Sequence, residues 1–266
     1  MSQEAGGPRR NAVVTGASAG LGCAVAARLA REQYDLVLVA RDAERLEALA
    51  ARLSSERPIE ARALPADLTD PEALARVEAE LRERTPDLLV NNAGFGTVGR
   101  FAELELEGED REVRLNVLAL LRLTHAALGR MIERGNGAVI NVSSLAGESA
   151  SPFTATYAAT KAFVTSFTEA LSEELRGSGV RVQALLPGFT RTEFQQRAGI
   201  DTSAIPGLAW MEPEAVVEAS LAALEKGQVT CIPGVANRML APLQRILPRG
   251  LVRRVLGAAL ERGLRE

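Results

Sequence analysis

Tyr157 and Lys161 stand four positions apart in "YAATK", in a chain that has two tyrosines and two lysines and otherwise uses arginine as its base. On a helix this spacing puts both side chains on one face, about 5–6 Å apart at Cβ, so both polar ends can enter one pocket. A free phenol ionises near pH ~10 and exchanges protons poorly at neutral pH. A neighbouring ammonium favours the phenolate, and lowering the pKa by about two to three units takes roughly 3–4 kcal/mol of differential interaction. The pair therefore predicts a general acid–base at residue 157, tuned by a lysine. Lysine suits that role because its compact ammonium can shift its own pKa, whereas a guanidinium stays charged and prefers planar partners. By itself a Tyr–Lys pair at this spacing is usually an incidental helix-face contact. Its company decides the matter.

Part of that company is "TGASAGLG", with Gly16, Gly20 and Gly22 between an apolar run at 11–16 and an Ala-rich helical stretch. Glycines there let the chain turn sharply and bring backbone N–H groups close to a pyrophosphate, with the positive end of the next helix facing the phosphates. The spacing G-x-x-x-G-x-G differs from the common G-x-G-x-x-G fingerprint but serves the same purpose. The second apolar run ends "LVLVARDAERL". Ala40 stands where an acid would bind the adenosine ribose of NAD, and Arg41 follows, where a guanidinium can clamp the 2′-phosphate of NADP. Ser18 can add a hydroxyl contact. The sequence favours NADP(H), with NAD(H) left open because Asp42 partly offsets Arg41. An oxidised nicotinamide would bring a second positive charge to Tyr157.

These groups need a frame that gathers them. Apolar runs recur at 11–16, 35–40, 59–64, 88–90, 138–142, 180–186 and 229–232, with helical patterns between them. In "AERLEALAARLSSE", Leu46, Leu49, Ala50 and Leu53 mark one face. About seven strands alternating with helices predict an α/β fold with a parallel, doubly wound sheet covered on both faces. No composition break separates a second domain.

The same residues resemble the short-chain dehydrogenase/reductase family over about 11–234. The resemblance rests on "TGASAGLG", "ADLTD" at 66–70, "NNAG" at 91–94, Asn116 in "RLNVLALL", "NVSSLAG" at 141–147, "YAATK" and "LPGFTRT" at 186–192, in this order. It implies a Rossmann-like, mostly parallel sheet in one domain at 11–236; the residues themselves suggest a flexible stretch at 1–10, a lid at about 189–212 in the longest irregular segment, punctuated by Gly, Pro, Ser and Thr, and a basic extension at 237–266. The resemblance further implies NAD(P)-dependent hydride transfer with Asn116, Ser144, Tyr157 and Lys161 as the catalytic group. Ser143 competes with Ser144, and the family's spacing of thirteen residues before the tyrosine selects Ser144. Asn116 would interrupt its helix and hold a proton-relaying water. Cofactor contacts fall to Gly16, Ser18, Gly20, Leu21 and Gly22, to Asp67 with Leu68 at the adenine, and to Asn91, Ala93 and Gly94 at the ribose and sheet. Tyr157 and Lys161 also reach the cofactor, and Pro187, Gly188, Thr190 and Thr192 hold the nicotinamide end. A homodimer or homotetramer is implied, with the helices of Asn116 and Tyr157 at a subunit contact.

Phe95, Leu145, Phe153, Phe189 and Phe194 are candidate pocket walls, which points to an apolar ketone, aldehyde or alcohol as substrate. The net charge of −3 gives no support for nucleic-acid binding. The single histidine, His125, gives none for a histidine metal site and reads as a helix-packing residue. No signal pattern opens the chain, and two isolated cysteines suit a reducing compartment, so the cytoplasm is expected. From Asn237 onward seven arginines face two glutamates, a charge of +5 that leaves −8 elsewhere. Such a basic amphipathic segment can pack on the protein or touch an anionic membrane surface.

Overall fold

Short runs of Val, Leu, Ile and Ala without charged interruption build the centre of the molecule. The computed structural model describes residues 9–199 and 206–246, with 250 and 254. The strands are β1 (Asn11–Thr15), β2 (Asp35–Ala40), β3 (Ala61–Pro65), β4 (Leu88–Asn91), β5 (Gly137–Val142), β6 (Val180–Leu185) and β7 (Thr230–Cys231). They pair in parallel in the order β3-β2-β1-β4-β5-β6-β7. The order reverses between β1 and β4, and such a switch point opens a crevice at the carboxyl ends of the strands. The third strand starts two residues later than its apolar run: the Ile59 N–H turns back to the Arg57 carbonyl, and its side chain fills the core instead.

Long connections carry the helices α1 (Gly20–Arg31), α2 (Ala43–Glu56), α3 (Pro71–Glu83), α4 (Leu106–Val113), α5 (Leu120–Glu133), α6 (Ala155–Glu174), α7 (Phe194–Arg197), α8 (Pro213–Glu225) and α9 (Val235–Ile246). Alternate strand residues serve opposite faces. Val14, Leu36, Leu38 and Val90 join a core with Leu29, Leu46, Leu53 and Val217 from α1, α2 and α8. Val13, Val39, Leu89 and Val139 join another with Leu74, Val77, Leu123 and Met131 from α3 and α5. Both faces are covered by apolar helix faces, which explains why the strands read as continuous rather than alternating apolar runs. Asp42 and Asp70 cap α2 and α3 by accepting the backbone N–H groups of Arg45 and Ala73.

Between α4 and α5 the chain winds as a π-helix over Arg114–Ala119, so 106–133 is one helix with a wide turn at Asn116. Wide turns of this kind redirect a side chain at a cost in backbone geometry and often mark functional positions. His125, expected to pack, lies exposed on α5 because the inward positions there belong to Leu123, Thr124 and Ala126. Residues 200–205 of the expected lid and most of the basic extension past Ile246 lie outside the described residues.

The sheet's central position makes its stability contribution measurable. Leu89 is fully buried in β4. Leu89→Ala should lower unfolding free energy by about 2–5 kcal/mol in urea titration; a loss below about 1 kcal/mol would contradict this packing.

Candidate active site

The glycine loop closes β1 against the end of β4. Gly16 and Gly20 have φ of 67° and 54°, the left-handed region that favours glycine. A Cβ on Gly16 would stand 2.8 Å from Asn92 Nδ2, and one on Gly22 would stand 2.6 Å from the same atom. Asn92 donates to the carbonyls of Thr15 and Gly16, and Thr15 Oγ1 accepts the N–H groups of Asn92 and Ala93. Thr15 and Asn92 lie inside "TGASAGLG" and "NNAG", but the sequence alone assigns neither side chain a role. The helix α1 then starts with no side-chain cap and no acid in its first turn. Its positive end is left uncompensated toward the crevice, which fits a pyrophosphate.

Around that opening stand the other cofactor candidates. Ser18 and Leu21 are partly exposed at the loop, and Arg41 is exposed just past β2. Asp67 lies past β3 and accepts both the N–H and the hydroxyl of Thr69 on Oδ1. Burial opposes ionisation of Asp67, but the Thr69 bonds and the Arg41 charge together hold its pKa below the usual range. Two expected contacts need correction. The Leu68 side chain is buried in the core, so only its backbone is available to a ligand. The Asn91 side chain turns into the sheet and donates to Asn141 Oδ1 and Thr124 Oγ1, both at 2.9 Å, which leaves its backbone to line the crevice.

On the other side, the chain after β6 returns over the loop. Pro187 and Gly188 follow the strand, and Thr190 donates its hydroxyl to the Gly188 carbonyl. Thr192 comes close enough that a Cβ on Gly20 would lie 3.1 Å from it. Glu193 beside it pairs with Arg45 of α2 at 3.2 Å and with Arg197. The start of the expected lid is thus tied across the crevice.

The catalytic candidates converge where β4, β5 and α6 meet. Ser143 is buried and its hydroxyl donates to the Lys161 carbonyl, beside Thr165, so it serves helix packing. Ser144 instead accepts the Ala146 N–H and stands near enough to Tyr157 to draw the phenol's pKa down. Gly96 makes room for the tyrosine ring, since a Cβ there would stand 2.7 Å from Tyr157 Cδ2. Phe194 packs on the same ring, with centroids 5.6 Å apart. Lys161 is 5 % exposed, and its ammonium donates to the Val142 carbonyl at 2.8 Å, 5.7 Å from the Tyr157 ring centre. Asn116 grips the backbone of Phe95 with both ends of its amide, accepting its N–H and donating to its carbonyl, and also donates to Thr160. A Cβ on Gly94 would meet Asn116 Oδ1 at 2.9 Å and Lys161 Nζ at 3.4 Å, so Ala93–Gly94 pass between these groups.

The electrostatics correct one expectation. Burial pushes the Tyr157 phenol up to about 12; the Ser144 hydroxyl pulls it down and Glu112 adds to the rise. Lys161 does not depress it in the protein alone, because burial brings that ammonium down to about 8 and its proton is directed at Val142. The bare site therefore favours a protonated phenol.

Among the proposed walls, Phe153 has a φ of 64°, uncommon for a side chain of its size, and its ring sits 5.9 Å below the Arg100 guanidinium. Phe189 and Trp210 are in contact at 5.6 Å at the lid. Among the described residues no cluster of His, Cys, Asp or Glu could hold a metal ion.

A sheet of this order with a glycine loop at its switch point and a Ser–Tyr–Lys group opposite defines a dinucleotide-dependent oxidoreductase. The profile of the short chain dehydrogenase family matches residues 10–202, and the chain belongs to that family. It is similar to sulfoacetaldehyde reductase 2 of Chromohalobacter salexigens, 38% identical over 201 residues, 74% of this chain and 79% of that one. It is also similar to the very-long-chain 3-oxoacyl-CoA reductase of Bos taurus, 32% identical over 69% of this chain, but it spans only 60% of that protein's length. Among solved structures, a short-chain dehydrogenase from Sphingobium yanoikuyae in complex with NADPH is 41% identical with a TM-score of 0.82, covering 90% of this chain and 97% of that one. A bulky-bulky ketone specific alcohol dehydrogenase from Comamonas testosteroni is 34% identical with a TM-score of 0.77, covering 90% and 95%. The protein is an NAD(P)-dependent oxidoreductase of CH–OH and carbonyl groups.

The Gly96 contact supplies a local test. Gly96→Ala should displace the Tyr157 ring and lower turnover by about tenfold or more, since small misplacements at a reacting group are costly. Turnover equal to wild type would show that the ring position is not set there.

Proposed function

We propose that the protein is an NADP(H)-dependent reductase of bulky apolar ketones or aldehydes, run in reverse as an alcohol dehydrogenase. The observation that carries this reading is the convergence of Ser144, Tyr157 and Lys161 on one pocket beside the glycine loop. When bound, the nicotinamide supplies a hydride to the carbonyl carbon or takes one from the alcohol.

The chain's own residues do the rest. Ser144 donates a hydrogen bond to the substrate oxygen and steadies its developing charge. Tyr157 gives its phenolic proton to that oxygen in reduction and accepts one in oxidation. Lys161 holds a positive charge beside the phenol and would meet the ribose hydroxyls of a bound cofactor, while Asn116 fixes Phe95 at the wide helical turn. Gly16, Ser18, Gly20, Leu21 and Gly22 would cradle the pyrophosphate through backbone N–H groups. Asp67 and the backbone of Leu68 would meet the adenine, the backbone from Asn91 to Gly94 the ribose, and Pro187, Gly188, Thr190 and Thr192 the nicotinamide end.

The choice of NADP(H) over NAD(H) rests on Arg41, exposed past β2 where Ala40 leaves no acid to repel a 2′-phosphate. Apolar substrate choice is supported by Phe194 against Tyr157 and by Phe189, Trp210 and the almost fully exposed Leu208 at the lid. Exposed Val113, Leu118 and Phe163 on the helices of Asn116 and Tyr157 support a homodimer contact there. Two cysteines, both free, support a reducing, cytoplasmic setting.

The test is the absorbance of NADPH and NADH over time with a panel of apolar ketones and aldehydes. Wild type should consume NADPH faster than NADH, Tyr157→Phe should lose about 100-fold or more in kcat, and Arg41→Ala should erase the cofactor preference. Near-full turnover by Tyr157→Phe, or equal use of both cofactors by wild type, would contradict the reading.

A further inference from the structure

One buried acid has no part in the reaction just described. Glu112 lies on α4, one helical turn before Asn116, and is fully buried. Its Oε2 accepts both the N–H of Thr97, at 2.9 Å, and the Thr97 hydroxyl, at 2.7 Å. Its Oε1 is buried with no hydrogen-bond partner among the described residues. A carboxyl placed this way on a core helix costs stability unless something nearby answers its charge.

The titratable groups that face it come from two elements. On its own helix, Glu109 is also buried and shares the Thr97 hydroxyl through Oε1 at 2.5 Å. Glu109 in turn accepts the Thr156 hydroxyl, which ties α4 to the start of α6 next to Tyr157. From α6, which is bonded to this helix on either side of Glu112 through Thr156 on Glu109 and Thr160 on Asn116, come Tyr157 and Lys161, and the Glu112 charge acts on both. The loop after β4 contributes only the N–H and hydroxyl of Thr97. Thr97 has one hydroxyl proton for two carboxyl groups, so the acids are not equivalent: the second oxygen can bond Thr97 only with a proton of its own.

We propose that Glu112 is the buried counter-charge of Lys161, a positioning residue that keeps the ammonium charged behind the catalytic tyrosine. Among the described residues, the Val142 carbonyl is the ammonium's hydrogen-bond acceptor and Glu112 is the anion whose field reaches it. One carboxylate there acts on both members of the pair, favouring the charged lysine and the protonated phenol. That is the state from which a carbonyl is reduced. Burial in turn raises the pKa of Glu112 while the Thr97 bonds and the Lys161 charge oppose the rise, so lysine and glutamate support each other's ionisation.

The inference rests on the reading of Lys161 as part of the catalytic group, but its test needs neither cofactor nor substrate and can fail independently of turnover. Lys226→Arg leaves Lys161 as the only lysine. With isotopically labelled lysine, the Lys161 side-chain resonance can be followed by NMR across the expected midpoint of about 8. Glu112→Gln, which keeps shape and removes charge, should lower that midpoint by about half a pH unit or more. Glu109→Gln should not lower it, because removing the neighbouring acid helps Glu112 to ionise. A Glu112→Gln midpoint within about 0.2 units of the parent, or an equal fall in Glu109→Gln, would overturn the proposal. If Glu112→Gln does not fold by circular dichroism, the parent curve decides. Ionisation of a coupled Glu112 must then appear as a second, smaller step below the lysine midpoint, and a single-step curve would overturn the pairing.

Discussion

An ammonium held away from water at the end of β5 sets the terms for the structure around it. Lys161 is 5 % exposed and donates a hydrogen bond to the Val142 carbonyl, while its burial strips much of the stability of its charge. Burial of this kind is tolerated where neighbours are fixed, because the ammonium cannot follow them if they move. Here they are fixed. Ser143 and Thr165 lock the backbone of Lys161, Asn116 clamps Phe95 across the wide turn, and glycine at 94 and 96 lets the strand-end loop pass close to Asn116 and the tyrosine ring. The polar network around the pocket fixes these groups, and the described start of the lid is held by the Glu193–Arg45 ion pair, by Phe194 against the Tyr157 ring and by backbone bonds of Phe189 and Arg191 with Met211.

The sheet was legible because its physics is repetitive. Strands buried on both faces require unbroken apolar runs, and all seven runs became strands in parallel register. Glycines at 16, 20 and 22 were legible for a related reason: the turn and the close approach of Asn92 exclude a side chain. Ser144 was separable from Ser143 by its spacing to Tyr157, and the structure gives the two hydroxyls different partners.

What the sequence did not disclose depends on contacts between distant segments. Asn92 and Gly96 matter through partners 76 and 61 positions away, Gly16 and Tyr157. The burial of Glu112 depends on Thr97 and on the wide turn that follows it, and nothing in "EDREVRLN" distinguishes it from the exposed Asp110. The sign of the Tyr157 shift is hidden from the sequence for a similar reason. Spacing shows that an ammonium is near, but not that burial raises the phenol's pKa and that Glu112 adds to the rise.

That sign gives the structure its working logic. A phenol kept protonated in the bare protein is a ready acid, and becomes a base only when positive charge arrives beside it. The direct measurement is the near-ultraviolet tyrosinate titration of Tyr34→Phe protein, in which Tyr157 is the sole tyrosine. Without cofactor the phenol should remain protonated beyond its ordinary value near 10, toward about 12, and saturating oxidised NADP should bring its ionisation to lower pH. A phenol that titrates at or below about 10 in the unliganded protein would contradict the account.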